Sequence, residues 1–337
     1  MLATKPLGRE EFNSAAHTVG RSALKVLDHR RVMSALHSYV GRRVSRHKMA
    51  TLLPDATPAS GDLMLIKIKS IGRFSYLEVS DFTVSPLKEG QEIIACFSTL
   101  DESGGGLGVM PSQSGGYQLL SQAGIVSQVT NRAYLPDTST DVEVLGVLGD
   151  TQGLRINIRD WAIPPVLHQN FTQPIIAVIG EVRMPGEPSR SLDMIRGLSS
   201  SGFNVGAANI TGAPGCWKLR LFRNAGAKLA VDLTDAGYAG TSGLTVQSFE
   251  RIFQSLSGHL AENGVDIVIL EFEQSVFGHD TASIISMPCF QSRISTVILE
   301  AKPGRGAELE RDSLRAMGFD VTLVDLVDSP PQYVSLT

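Results

Sequence analysis

From residue 175 onward, short apolar runs alternate with longer segments of helical periodicity, and this alternation constrains the fold more than any other feature of the chain. Strands are predicted at 175–179, 204–208, 229–232, 267–270, 296–299 and 321–324. Helices are predicted at 189–200, 217–224, 246–263, 280–286 and 306–317. Near-continuous apolar strands separated by helices imply a parallel sheet covered on both faces. Ligands of such sheets sit beyond the carboxyl ends of the strands.

The texture upstream is different. Between 61 and 158 the chain breaks into short β-rich runs at 63–69, 74–79, 92–97, 125–129, 142–148 and 154–158. Met64, Ile66 and Ile68 alternate with Leu65, Lys67 and Lys69. Many short strands divided by turn residues predict a small barrel or sandwich. The glycine-rich stretch at 103–108 is followed by no helix, so it reads as a hairpin loop rather than a phosphate loop. Pro164, Pro165 and Pro174 mark a linker at 161–174. Helical spacing of Ala15, Val19, Ala23, Val26 and Leu27, and of Val32, Leu36 and Tyr39, predicts a helical segment over 10–48. The expected organisation is a basic helical segment (1–60), a small β domain (61–160), a linker (161–174) and an α/β domain of P-loop type (175–337).

The first strand of the α/β region runs into Gly180-Glu-Val-Arg-Met-Pro-Gly186-Glu187-Pro188-Ser189 and then a helix. A working phosphate loop reads G-x-x-x-x-G-K-[ST] in that setting. Here the loop is one residue too long, Glu187 stands at the lysine position and Pro188 at the hydroxyl position. Such loops aim backbone N–H groups and a lysine at the phosphates and a hydroxyl at magnesium. Glu187 reverses the charge, and like charges about 4 Å apart repel by roughly 4 kcal/mol at an effective dielectric near 20. Pro185 and Pro188 each remove a backbone donor. Pro188 suits the first turn of the following helix, and Ser189 is placed to cap it.

Further segments carry a family resemblance. Arg196-Gly-Leu-Ser-Ser-Ser-Gly-Phe-Asn-Val-Gly-Ala-Ala-Asn-Ile-Thr-Gly212 resembles the matching stretch of P-loop proteins of the dethiobiotin-synthetase-like and DUF1611 type. Asp232-Leu-Thr-Asp-Ala-Gly-Tyr-Ala-Gly-Thr-Ser-Gly243 resembles their D-x-x-D-A-G stretch, and Asp266-Ile-Val-Ile-Leu-Glu271 their second strand-end acid. The resemblance covers about 175–290, and the upstream β region more loosely resembles the barrel that accompanies some of these proteins. It implies that Gly180 and Gly186 belong to a phosphate loop and that Asp235 and Glu271 face metal and substrate, although each is also an ordinary strand-end acid. The lysine and the threonine have no counterpart, which puts magnesium–nucleotide chemistry in doubt. Thr211 and Trp217, beside a Gly-Ala-Pro-Gly turn, are further ligand-facing candidates.

Charge and residue types narrow the function classes. Residues 1–50 hold ten Lys/Arg against three Asp/Glu, a local +7 in a chain of net charge −4. Only Phe12 and Tyr39 lie among the basic residues, too sparse for the interleaved aromatics of a nucleic-acid surface, which disfavours nucleic acid. Three scattered cysteines argue against a disulfide framework and fit a reducing compartment. No apolar run approaches the roughly 20 residues of a membrane span, and no charged-then-apolar leader opens the chain, so a cytoplasmic protein is expected. Glu271, Glu273, His279 and Asp280 lack rigid ligand spacing, and His29, His37 and His47 read as surface histidines. No G-x-S-x-G elbow is present. The expected function is therefore a non-catalytic scaffold without metal or cofactor, binding a peptide or protein partner, as in a bacterial biosynthetic pathway. A homodimer is expected through Phe249, Ile252, Phe253, Leu256 and Leu260. The alternative is a divergent ATP-dependent ligase or kinase, binding nucleotide with magnesium and using Arg183 or Arg190 in place of the lysine; a third class is a nucleic-acid-associated regulator using the +7 segment.

Overall fold

The structure is a computed structural model that describes residues 24–98, 108–109, 116–129, 140–167, 171–180, 189–241 and 243–325. The N-terminal half carries strands β1 (Lys25–Val26), β2 (Leu36–His37), β3 (Thr51–Leu53), β4 (Leu63–Ser70), β5 (Tyr76–Glu78), β6 (Val84–Pro86), β7 (Glu92–Phe97), β8 (Gly108–Val109), β9 (Tyr117–Leu119), β10 (Ile125–Val129) and β11 (Thr140–Gly149), with one short helix, α1 (His29–Ser34). The C-terminal half runs β12 (Ile175–Ile179), α2 (Arg190–Ser200), β13 (Val205–Asn209), α3 (Cys216–Asn224), β14 (Leu229–Asp232), α4 (Val246–Glu262), β15 (Ile267–Phe272), α5 (His279–Ile285), α6 (Pro288–Gln291), β16 (Ile294–Ala301), α7 (Arg305–Ala316) and β17 (Val321–Asp325).

In the first half, β4–β7, β7–β10, β10–β9, β9–β11 and β11–β4 all pair, so five strands close on themselves. The β7–β10 pair is parallel and the other four are antiparallel. Period-2 alternation places Met64, Ile66 and Ile68 of β4 in one core with Ile93, Ala95 and Phe97 of β7. Leu63, Leu65, Ile94 and Cys96 point the other way, into a core shared with Ile195 of α2, Phe222 of α3 and Ile269 of β15. The ring is thus buried on both faces where it meets the α/β half.

The second half is a mixed α/β unit with a six-stranded, wholly parallel sheet in the order β14-β13-β15-β12-β16-β17. Its alternation is equally clear. Ile175, Ala177 and Ile179 of β12 face a core built with α4, α5 and α7, while Val178 faces the core of α2 and α3.

Several expectations need correction. The helix over 10–48 does not form among the described residues; residues 24–48 make β1, α1, β2 and two 3₁₀ turns, and 10–23 lie outside them. Tertiary pairing overrides helical spacing, since β2 joins β7 and Tyr39 and Val40 are buried. Residues 154–158 make isolated bridges and a 3₁₀ start rather than a strand. Most of the glycine-rich loop lies outside the described residues. The apolar face of α4, taken as a dimer surface, is wholly internal: Phe249, Ile252, Phe253, Leu256 and Leu260 are all 0% exposed.

Candidate functional site at the carboxyl edge of the parallel sheet

The strand ends of β12, β13, β14, β15 and β16 converge on one edge, and that edge is acidic. Glu300 at the end of β16 reaches across to the start of α2, where its Oε1 accepts a hydrogen bond from the Arg190 amide at 2.9 Å. Helix N-termini attract anions because their first N–H groups lack intrahelical partners. A carboxylate of the chain itself therefore holds the amide that a phosphate would otherwise seek. Gly180 allows this approach, because a Cβ there would sit 3.1 Å from the Glu300 Cβ. Ser189 occupies the N-cap position, but its side chain makes no capping bond, contrary to expectation, and the helix begins at Arg190. Gly186, Glu187 and Pro188 lie outside the described residues.

At the neighbouring strand ends the chain supplies a cation that sequence reasoning missed. Lys218 projects from α3 and is 5% exposed. Its ammonium pairs with Glu271 and lies 3.2 Å from Glu273. Burial alone would lower the Lys218 pKa, but the two carboxylates outweigh it and raise it. Burial raises the Glu273 pKa, and Lys218 only partly offsets this. Asn209 donates to Glu273 at 3.2 Å. Thr211 accepts from the Glu273 amide at 2.8 Å, so its hydroxyl orders the chain rather than facing a ligand. Trp217 is half-buried, with the Lys218 ammonium 4.7 Å from its ring centre. Glu271 Oε2 and Asn209 Oδ1 are buried and have no hydrogen-bond partner among the described residues. The one sequence signal for Lys218 is a cation beside Cys216, Leu219 and Phe222, which form the buried stripe of its helix.

The Asp232-x-x-Asp235 turn after β14 is closed from the N-terminal half. Arg42 Nη2 bonds Asp232 at 2.9 Å and Asp235 at 2.6 Å, and Nη1 bonds Thr234. Tyr39 donates to Asp232 at 2.7 Å, and Arg43 adds a contact to Asp235 at 3.5 Å. Asp235 is therefore committed to arginines rather than directed at metal. The N-terminus of α3 is held in the same manner: Glu78 accepts from the Cys216 amide at 2.6 Å. Burial raises the Glu78 pKa, opposed by that bond, and pushes the Cys216 thiol up to about 12, so it is no nucleophile.

The expected acidic cluster separates into two parts. Glu271 and Glu273 hold Lys218, whereas Asp280 accepts from Thr241 and Gln274, with His279 3.2 Å away and exposed. No group of three or more His, Cys, Asp or Glu able to hold a metal occurs among the described residues. His37 is buried at 3% exposure rather than on the surface, while His29 stacks on His47. No helix among the described residues is long and apolar enough to cross a membrane.

No protein-family model matches the chain, and no curated protein matches it significantly in sequence. Solved structures similar to part of it include the signal recognition particle 54 kDa protein from Aeropyrum pernix K1 in complex with GDP, at 16% identity and TM-score 0.28, over 46% of this chain and 42% of that one. The kinase domain of Escherichia coli tyrosine kinase ETK is similar at 12% identity and TM-score 0.33, over 47% and 69%. The signal recognition particle receptor FtsY from Elizabethkingia anophelis is similar at 12% identity and TM-score 0.31, over 48% and 51%. The chain thus spans less than half of the first of these.

Proposed function

We propose that this chain is a non-catalytic binding protein on a P-loop-like α/β scaffold, with a peptide or protein as its partner. The Glu300 carboxylate on the Arg190 amide carries this reading. The chain's own anion fills the position that would receive a phosphate, next to a loop whose lysine position is Glu187. Support comes from Glu78 at the start of α3 and from Lys218, whose charge is spent on two carboxylates. A nucleotide would have to break several of these bonds, each worth about 1.5–3 kcal/mol where one partner is charged. Under the alternative of a divergent ligase or kinase, Lys218 rather than Arg190 is the better-placed cation, because Arg190 is directed at Asp193, 3.9 Å away on its own helix.

Titration of the full chain with ATP or GTP and magnesium discriminates the two. No saturable heat is expected up to about 1 mM nucleotide, a limit of roughly −4 kcal/mol in binding free energy. Binding at about 10 µM or tighter, or magnesium-dependent turnover abolished by Glu271→Gln, would overturn the non-catalytic reading.

A further inference from the structure

We propose that the cleft beside β14 holds a small organic monocarboxylate, an acid with an apolar body. The inference goes beyond the peptide-binding reading and stands without it. The cleft measures about 440 Å³ and opens between α3, α4 and the turn that joins β5 to β6. That volume is within the range of small-molecule sites, ~300–1,000 Å³. Leu219, Leu229, Ala230 and Val231 give it an apolar base, and a few polar groups fix the orientation of a ligand in such a site. Here they come from three elements: Arg223 from α3, His259 from α4 and Ser80 from the β5–β6 turn.

Their bonding separates these three from the other polar groups of the cleft. Arg42 is bound to Asp232, Thr234 and Asp235, and Arg43 to the Trp161 carbonyl and Asp235. Those two cations face two carboxylates and are balanced. Arg223 is exposed and has no carboxylate within salt-bridge distance among the described residues; its guanidinium lies 4.3 Å from the Phe82 ring centre. Stacking on a ring face leaves the in-plane N–H groups free for the two oxygens of a carboxylate. His259 Nδ1 lies 3.3 Å from the Asn263 side-chain nitrogen, which also donates to the His259 carbonyl at 2.7 Å. Nδ1 therefore accepts, and the ring proton sits on Nε2, a donor without a partner among the described residues. Burial lowers the His259 pKa, so the ring is neutral at pH 7. Ser80 is held by its amide on the His37 carbonyl at 2.8 Å, and its hydroxyl has no partner among the described residues. One uncommitted cation beside two neutral donors selects a single negative charge. A dianion such as phosphate would bring a second charge that no free cation of the cleft matches. Phe82 is the one non-glycine residue among the described residues with a positive φ, 68°. Its amide donates to the Val79 carbonyl at 2.9 Å, and the Val79 amide to the Thr83 carbonyl at 2.8 Å, which holds the turn in place. Such strain concentrates at ligand sites, and here it sets the ring against Arg223.

Calorimetric titration and methyl-labelled NMR of the full chain test the proposal. The probes are phenylacetate, indole-3-acetate and octanoate, with their amides and inorganic phosphate as controls. At least one acid is expected to bind at least about tenfold tighter than its amide, with the largest shifts at the methyl groups of Leu219, Leu229 and Val231. Arg223→Gln should weaken that acid at least about tenfold, and Arg223→Lys should restore only part of the loss, because a point charge lacks the fork. Rising salt should weaken binding. A melting temperature equal to the parent's for Arg223→Gln separates this loss from misfolding. Amides that bind as well as the acids, displacement of the acid by phosphate, equal affinity of parent and Arg223→Gln, or shifts centred on another surface each overturn the assignment. Failure of all three acids to bind at about 10 mM also overturns it, and leaves the peptide-binding reading standing.

Discussion

Arg42 binds three residues of the other half of the molecule, and its guanidinium is almost wholly out of solvent. Burial alone would lower its pKa, but Asp232 and Asp235 reverse this and raise it. Removing one side of a buried pair leaves the other charge uncompensated. Arg42→Ala is therefore expected to cost about 3–5 kcal/mol, read from the urea midpoint, whereas Arg31→Ala at the exposed pair with Glu92 should cost about 1 kcal/mol or less. His37 gives the pH dependence. Burial, reinforced by the Arg46 charge, lowers its pKa from 6.5 to about 4. Between those values the unfolded chain binds a proton that the folded chain refuses, so the His37 contribution is complete above pH 6.5 and is lost as pH falls towards 4. The loss approaches about 3 kcal/mol. Urea melts at pH 7 and pH 5 should show it, and His37→Gln should flatten the difference; an unchanged slope would contradict the assignment.

At the scale of elements, β strands and α/β helices were legible because each has a period that burial enforces. β7, β10, β12 and β14 stand where alternation or continuous apolarity placed them. Thr245 caps α4 through the Ser248 amide, the pattern that local side-chain chemistry dictates. Val32, Leu36 and Tyr39 satisfy a helical spacing, but each is placed differently: Val32 lies on α1, Leu36 pairs with Ile93 of β7, and Tyr39 opens a 3₁₀ turn and reaches Asp232 in the other half. The turn after β14 depends on Gly237, at φ +86°, where a Cβ would lie 2.9 Å from both the Ala162 Cβ and the Arg159 Cα. Gly237→Ala should therefore cost on the order of 1–3 kcal/mol and weaken docking of the 3₁₀ turn at Ile158–Trp161. Equal stability of variant and parent by calorimetry would rule that out.

The whole molecule behaves as two halves with one joint core. Tyr39, Leu63 and Cys96 share a core cluster with Ala207, Phe222 and Ile269. The same junction carries the Tyr39–Asp232 bond, the Arg42 contacts and the Glu78–Cys216 bond. Halves joined by both apolar surface and buried charge should not melt independently. A single calorimetric transition is expected, with the van't Hoff and calorimetric enthalpies equal within error. Two resolved transitions would show that the junction contributes little to stability.

The sequence alone determined the parallel sheet and its helices, because periodicity is a local property. It also placed Glu271 at a strand end, where the structure has it, while Asp235 lies in the turn that follows β14. Only the tertiary structure decided what those acids do. Lys218 meets Glu271 across 53 residues, Glu300 meets Arg190 across 110, and Arg42 meets Asp232 across 190. Pairings over such separations depend on which strands become neighbours, and no window of sequence contains both partners.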